Sequence, residues 1–282
     1  MIPTGREFYK MSGSGNDFVM VDARDEPRGA LGEADTIQRI CARGTGVGAD
    51  GIVFLERSSS ADVRLTYLNA DGSRADFCGN ATLCTTRLAT ELGIAGAEHL
   101  TIETDSGLVR ARVHDGLPEI DLQPVTDVRR VAADIPLGVG EQAIGYALVG
   151  VPHLVIRCND VATEDVVGRG RPLRSHGTMP HGANVNFVSR GGDGRWRYRT
   201  YERGVEAETL ACGSGSVATA ILLAVWGEAA VGEPVDLETR SGKLLRIRLR
   251  RSGGGASEHE SGWSPSLAGE GRVVYRGRLS EV

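Results

Sequence analysis

The chain has 282 residues, 40% of them apolar, and a formal net charge of −5. That length fits about two domains of roughly 100–200 residues each, and the apolar share is enough to bury ordinary cores. The acidic balance gives no basic footprint for nucleic acid, and no apolar run reaches the ~18 residues that a membrane helix needs. In chain order, short apolar and β-branched runs predict strands over 17–21, 52–56, 63–68, 100–103 and 108–113. A helix over 34–42 places Ile37, Ile40 and Cys41 on one side, and Asp71-Gly72 marks a hairpin between two strand-like runs. A second helix, over 80–92, begins just after Cys78 and stops at Gly93. The second half repeats the style with strands over 146–148, 154–157, 184–188, 195–201, 235–238 and 244–249. Its helix, 214–226, begins just after Cys212, stops at Gly227 and is apolar nearly all round, which marks a buried helix. The Gly-, Ser- and Glu-rich stretch 251–266 reads as a mobile loop, and 273–279 as a closing strand that returns to the first half.

The chain also contains its own pattern twice. Cys78-Gly79-Asn80-Ala81-Thr82 is followed, 25 residues after its cysteine, by Glu103-Thr104-Asp105-Ser106-Gly107. Cys212-Gly213-Ser214-Gly215-Ser216 is followed, 26 residues after its cysteine, by Glu238-Thr239-Arg240-Ser241-Gly242. Shifts of 134 and 135 residues in two separate segments indicate an ancient duplication. The expected architecture is α+β: two pseudo-symmetric halves, each a curved, mainly antiparallel sheet wrapped around a central helix. Residues 1–125 with 267–282 would carry Cys78, and 126–266 would carry Cys212. Equivalent cysteines facing one cleft would give a thiol on each side of a substrate, as a two-base racemase or epimerase requires.

Each of these cysteines stands at a helix start followed by glycine and small polar residues. Free N–H groups there carry partial positive charge, which favours a thiolate and holds a carboxylate. The glycines let a ligand approach the backbone closely. The alternative, a buried structural thiol, is the common fate of free cysteine and is the reading for Cys41, Cys84 and Cys158. Asn16, Asn69, Asn80 and Asn184 offer uncharged donors and acceptors at strand ends and turns. Glu202-Arg203 closes an alternating strand, where an Arg binds a carboxylate and a Glu an amine. His153, after Pro152, sits in an expected turn. Five cysteines without a C-x-x-C pair argue against a disulfide framework, a zinc site and a thiol–disulfide oxidoreductase. The opening MIPTGREFYK lacks the apolar stretch of a secretion signal, so a cytoplasmic location is expected.

Taken together, these segments resemble the diaminopimelate epimerases, which work without pyridoxal phosphate or another cofactor. The resemblance rests on KMSGSGNDFVMVD (10–22), NADGSRADFCGN (69–80) and YERGVEAETLACGSG (201–215), with further matches at Pro152-His153, 184–188 and 267–279. It implies Cys78 and Cys212 as the catalytic pair, with His153 and Glu202 flanking and tuning them. It implies Gly79, Asn80, Gly213 and Ser214 as the carboxylate cradle, and Asn16, Asn69, Asn184, Glu202 and Arg203 as substrate-recognising residues. The implied substrate is LL-2,6-diaminopimelate, converted to the meso isomer for lysine and cell-wall precursors, by a homodimer. The chain departs from the family pattern at Val151, Gly51, Ser12 and Ser14; Val151 and Gly51 bear on the far end of the substrate and leave the cysteine chemistry alone. The competing readings are a racemase or isomerase of the same fold on another acid, and a ligand-binding relative without turnover. Keeping both Cys-Gly helix starts argues against the latter.

Overall fold

The computed structural model describes residues 5–132, 134–252 and 262–280. The chain divides into two compact units, Met1–Ile120 with Ala268–Val282, and Asp121–Leu267.

The first unit opens with the hairpin of β1 (Glu7–Gly13) and β2 (Asn16–Asp22). α1 (Ala34–Cys41) leads to β3 (Gly51–Glu56), which runs parallel to β2, and β4 (Val63–Asn69) turns back along it. Asp71-Gly72 makes the tight turn into β5 (Arg74–Ala75), with Gly72 at a positive φ of 84°. α2 (Gly79–Glu91) follows, then β6 (Leu100–Thr104) parallel to β4, and β7 (Gly107–His114) and β8 (Leu117–Asp121) antiparallel after it.

The second unit repeats this order of pairings. It contains β9 (Val128–Arg129), β10 (Glu141–Val149), β11 (Val151–Cys158), α3 (Val166–Arg174), β12 (Asn184–Arg190), β13 (Trp196–Glu202), β14 (Ala207–Thr209), α4 (Gly213–Trp226), β15 (Val235–Glu238) and β16 (Leu244–Ser252). β10–β11 is antiparallel, β11–β12 parallel, β12–β13 and β13–β14 antiparallel, β13–β15 parallel and β15–β16 antiparallel. β17 (Gly262–Gly269) then leads to β18 (Arg272–Arg278), which pairs antiparallel with β1 in the first unit.

The strands of each unit are covered on both faces. In the first unit α2 packs on β1, β4, β6 and β7, while α1 seals the other face with Val19, Val21, Ile52 and Phe54. In the second, α4 packs on β10, β11, β12 and β16, and α3 covers Leu154, Ile156, Phe187 and Tyr201. Two-sided burial explains why β3 (GIVFLE) and β12 (NVNFVSR) are runs of buried residues rather than alternating ones. Gly93 and Gly227 take left-handed φ values of 67° and 83° where α2 and α4 stop, a conformation that suits glycine.

The structure differs from the sequence reading at several points, and β5, β8, β9 and β14 are strands that reading does not contain. α3 carries two glycines and Pro172, so nothing in its propensity announces a helix. It forms because the Asp165 side chain caps Gly168 N at 2.9 Å and because glycine at 170 lets the helix lie on Tyr201, where a Cβ would stand 2.6 Å from the Tyr201 Cβ. β1 has no counterpart among the strands expected from the sequence, although it pairs on both edges. His153 lies in β11 and not in a turn. Of the expected loop 251–266, residues 251–252 end β16 and 262–266 lie in β17, while 253–261 fall outside the described residues. Trp263 bridges Val125 and lies under the Arg251 guanidinium, 3.8 Å from the ring centroid, contacts that a composition-based reading does not register.

Candidate active site

In the first unit Cys78 is the N-cap of α2, extended at φ −141° and ψ 114° just before the chain enters the helix. Its carbonyl accepts the first helical bonds, from Thr82 N at 2.9 Å and Thr82 Oγ1 at 2.8 Å. The thiol makes no cap bond and is partly accessible. The N–H groups that open the helix have no intrahelical partner and lend this end positive charge. The buried Asn80 donates to Asn16 Oδ1 at 2.6 Å, and Asn16 in turn donates to Asp50 at 3.0 Å. Asn80 Oδ1 is buried with no partner among the described residues. Beneath this lies an ion cluster: Arg43 reaches Asp17 at 2.6 Å and Asp50 at 2.7 Å, and Lys10 reaches Asp17. Burial works against the Asp17 carboxylate, yet the bonds from Arg43 and Lys10 hold its pKa below the usual range. Asn69 sits opposite Gly51 across β3–β4 and donates to Ser73 Oγ at 3.0 Å. A Cβ at residue 51 would lie 2.5 Å from the Tyr67 ring, so Tyr67 fills the room a side chain there would need.

The second unit builds its counterpart on α4. Cys212 is the N-cap, at φ −131° and ψ 111°. Its sulfur accepts from Gly215 N at 3.4 Å and lies 3.6 Å from Ser214 Oγ. The buried Tyr198 hydroxyl clamps the Cys212 backbone, donating to its carbonyl at 2.8 Å and accepting from its N–H at 3.1 Å. Gly213 and Ser214 form the first turn of the helix. Asn184 stands beside His153 across β11–β12, and its Oδ1 accepts from Arg203 N at 2.8 Å. The Arg203 guanidinium donates to His181 O at 2.7 Å, and the Glu202 carboxylate accepts from Thr209 Oγ1.

His153 is fully buried, and burial, followed by the nearby Arg203 charge, lowers its pKa to about 3. It is therefore a neutral ring at ordinary pH. The other cysteines are inert by environment. Burial pushes Cys41 to about 11 and Cys158 to about 12, and raises Cys84 as well.

The structure thus gathers Asn16, Asn80, Gly79 and Cys78 at one helix start, and Cys212, Gly213 and Ser214 at the other. It places His153, Asn184 and Arg203 together in the second unit. Sequence reading missed Tyr67, Asn186, Tyr198 and Thr200. Their only prior signal is position: each occupies a strand that ends at an expected site residue or contains one.

A family model described as diaminopimelate epimerase matches residues 8–125 and 145–257, spans that include both cysteines. The diaminopimelate epimerase of Gemmatimonas aurantiaca is 48% identical over 97% of this chain and 99% of its own length. That of Aquifex aeolicus is 38% identical over 98% of each.

The chain belongs to the diaminopimelate epimerase family.

Its class is therefore that of an isomerase. The fold is shared more widely than the sequence. A phenazine biosynthesis protein of the PhzF family from Bacillus anthracis superposes with a TM-score of 0.74 at 16% identity, covering 98% of this chain and 99% of that one. Within the diaminopimelate epimerase frame, the glycine at position 51 has a local cause, because Tyr67 has taken the space.

Proposed function

We propose that this family member interconverts LL- and meso-2,6-diaminopimelate by a two-thiol mechanism, without pyridoxal phosphate, in the cytoplasm and as a homodimer. The observation that carries the reading is the repeated Cys-Gly helix start, one in each unit, with Cys78 and Cys212 as N-caps of buried helices. One thiolate removes the α-proton, and the other thiol delivers a proton to the opposite face. The intermediate carbanion spreads its charge into the α-carboxylate. Backbone N–H groups at Gly79, Asn80, Gly213 and Ser214 stabilise that charge, the kind of term that dominates such sites. A cysteine of ordinary pKa, about 8.5, is a weak base for so weak a carbon acid, so the reaction requires both sulfurs fixed against the carbon with water excluded.

The remaining site residues divide by chemistry. Asn16, Asn69, Asn184, Glu202 and Arg203 recognise the substrate's polar groups, and the unpartnered acceptor of Asn80 suits an ammonium hydrogen. His153 and Glu202 tune the cysteines. Incubation of purified, reduced protein with LL-diaminopimelate tests the assignment. Chromatographic appearance of the meso isomer supports it, and no conversion by folded protein with both thiols free overturns it. In that case a same-fold isomerase acting on another amino or carboxylic acid takes its place, with Val151 and Gly51 as the residues to explain.

A further inference from the structure

The second unit buries a polar chain that the first unit does without. Asn186, on β12, is fully buried; its Nδ2 donates to Leu154 O at 2.9 Å and lies 3.2 Å from His153 Nδ1. Its Oδ1 accepts from the buried Thr200 hydroxyl at 2.9 Å. The orientation of this amide is not free. The Leu154 carbonyl only accepts, so the NH2 end of Asn186 must face it. The same NH2 then faces His153 Nδ1, which must present its lone pair. A neutral imidazole with a lone pair on Nδ1 carries its proton on Nε2. That Nε2 is buried and has no partner among the described residues.

Register shows what stands in the same places in the first unit. There Phe18 pairs with Gly51 and, two residues on, Val53 pairs with Tyr67. In the second unit His153 pairs with Asn184 and, two residues on, Asn186 pairs with Thr200. Phe18 and Tyr67 meet edge to face at 5.7 Å, an apolar solution to the same packing problem. The fold therefore does not need the polar chain, and buried polar groups cost free energy unless fully bonded. The chain also touches the catalytic turn: a Cβ on Gly215 would lie 2.3 Å from Asn186 Oδ1 and 3.2 Å from Cys212 Sγ.

We propose that Asn186 is a positioning residue of the Cys212 half-site, holding His153 in the Nε2–H tautomer so that this N–H meets the anion formed during turnover. The inference deepens the two-thiol reading and rests on it for the last clause. Thr200 fixes Asn186, Asn186 fixes the tautomer, and His153 makes the contact.

The test is 15N NMR of the full chain with labelled histidine, His153 being assigned by its loss in His153→Gln. The expected spectrum has a pyridine-type Nδ1 and a pyrrole-type Nε2, unchanged from about pH 5 to about pH 9. Asn186→Asp places an acceptor opposite Nδ1. It should move the proton to that nitrogen, lower kcat by about 10- to 100-fold as loss of an orienting partner does, and alter the pH profile while KM changes little. Should that variant not fold, Thr200→Val removes only the hydroxyl holding the Asn186 carbonyl and should shift the same resonances in the same direction. A wild-type spectrum with the proton on Nδ1, or a switched tautomer with unchanged kcat and pH profile, overturns the proposal. The tautomer is read without substrate. The expected spectrum in a chain with no epimerase activity would therefore contradict the functional reading instead.

Discussion

His153 folds without its proton, and that has a sign. Its pKa falls from 6.5 to about 3 in the folded chain, through burial first and Arg203 second. Between those values the unfolded chain binds the extra proton. Stability is therefore fully present above about pH 6.5 and is lost as pH falls from there toward 3, by up to about 1.4 kcal/mol per pH unit. The urea midpoint should drop between about pH 6.5 and 4.5, and His153→Gln should flatten the drop; an equally steep profile in that variant would show that the ring is not held neutral. Asp17 is held below the usual carboxylate range, whereas burial raises Glu164, whose contribution in this window has the opposite sign; the readout is therefore the difference between the wild-type and His153→Gln profiles. For catalysis, Cys78→Ala and Cys212→Ala should each lower net epimerisation by at least about 100-fold, the scale of losing a general acid or base. A single variant keeping most of its activity would contradict the two-thiol account. The cysteines were legible in the sequence because their setting is local, a Cys-Gly start followed by a helix. Asn186, Thr200 and Tyr198 were not, because a strand residue acquires its role from the partner across the ladder and from the helix above it.

At the scale of elements, the two glycine types of α4 make opposite predictions. Gly215 packs against Asn186 and Cys212, so Gly215→Ala should cost about 1–3 kcal/mol as an overpacked site and should also impair turnover. Gly227 has a left-handed φ of 83° and nothing within 4 Å of an added Cβ. Gly227→Ala should cost about 1–2 kcal/mol from backbone strain alone and leave kcat unchanged. Denaturant midpoints and initial rates on both variants check the pair, and equal effects on rate would mean that Gly215 has no special relation to the site. The helix stops at Gly93 and Gly227 were readable for the reason that makes Gly227 sensitive. α3 was not readable, because an Asp165 cap and a close approach to Tyr201 outweigh two glycines and a proline. β1 gains its second edge from β18, distant in sequence, and β17 gains its support from Trp263, which meets Val125 and Arg251, so neither is announced by its own segment.

For the whole molecule, the duplication was the most legible feature, and the structure extends it from two short motifs to a complete order of strand pairings in each unit. Its departures carry the information that repetition hides. Phe18, Val53 and Tyr67 in one unit answer to His153, Asn186 and Thr200 in the other, so the two cysteines stand in unlike surroundings. If both sulfurs reach one carbon, mild oxidation without substrate should link Cys78 to Cys212, abolish activity and be reversed by a reductant. Irreversible loss with no linked peptide by mass spectrometry would count against that arrangement. The most direct test of the central claim is the fate of solvent hydrogen. With LL-diaminopimelate in heavy water at low conversion, two bases on opposite faces predict one deuteron at the inverted carbon of each meso product, while unreacted substrate keeps its proton. Meso product that retains the original α-proton would require one base to serve both faces, and would contradict the account.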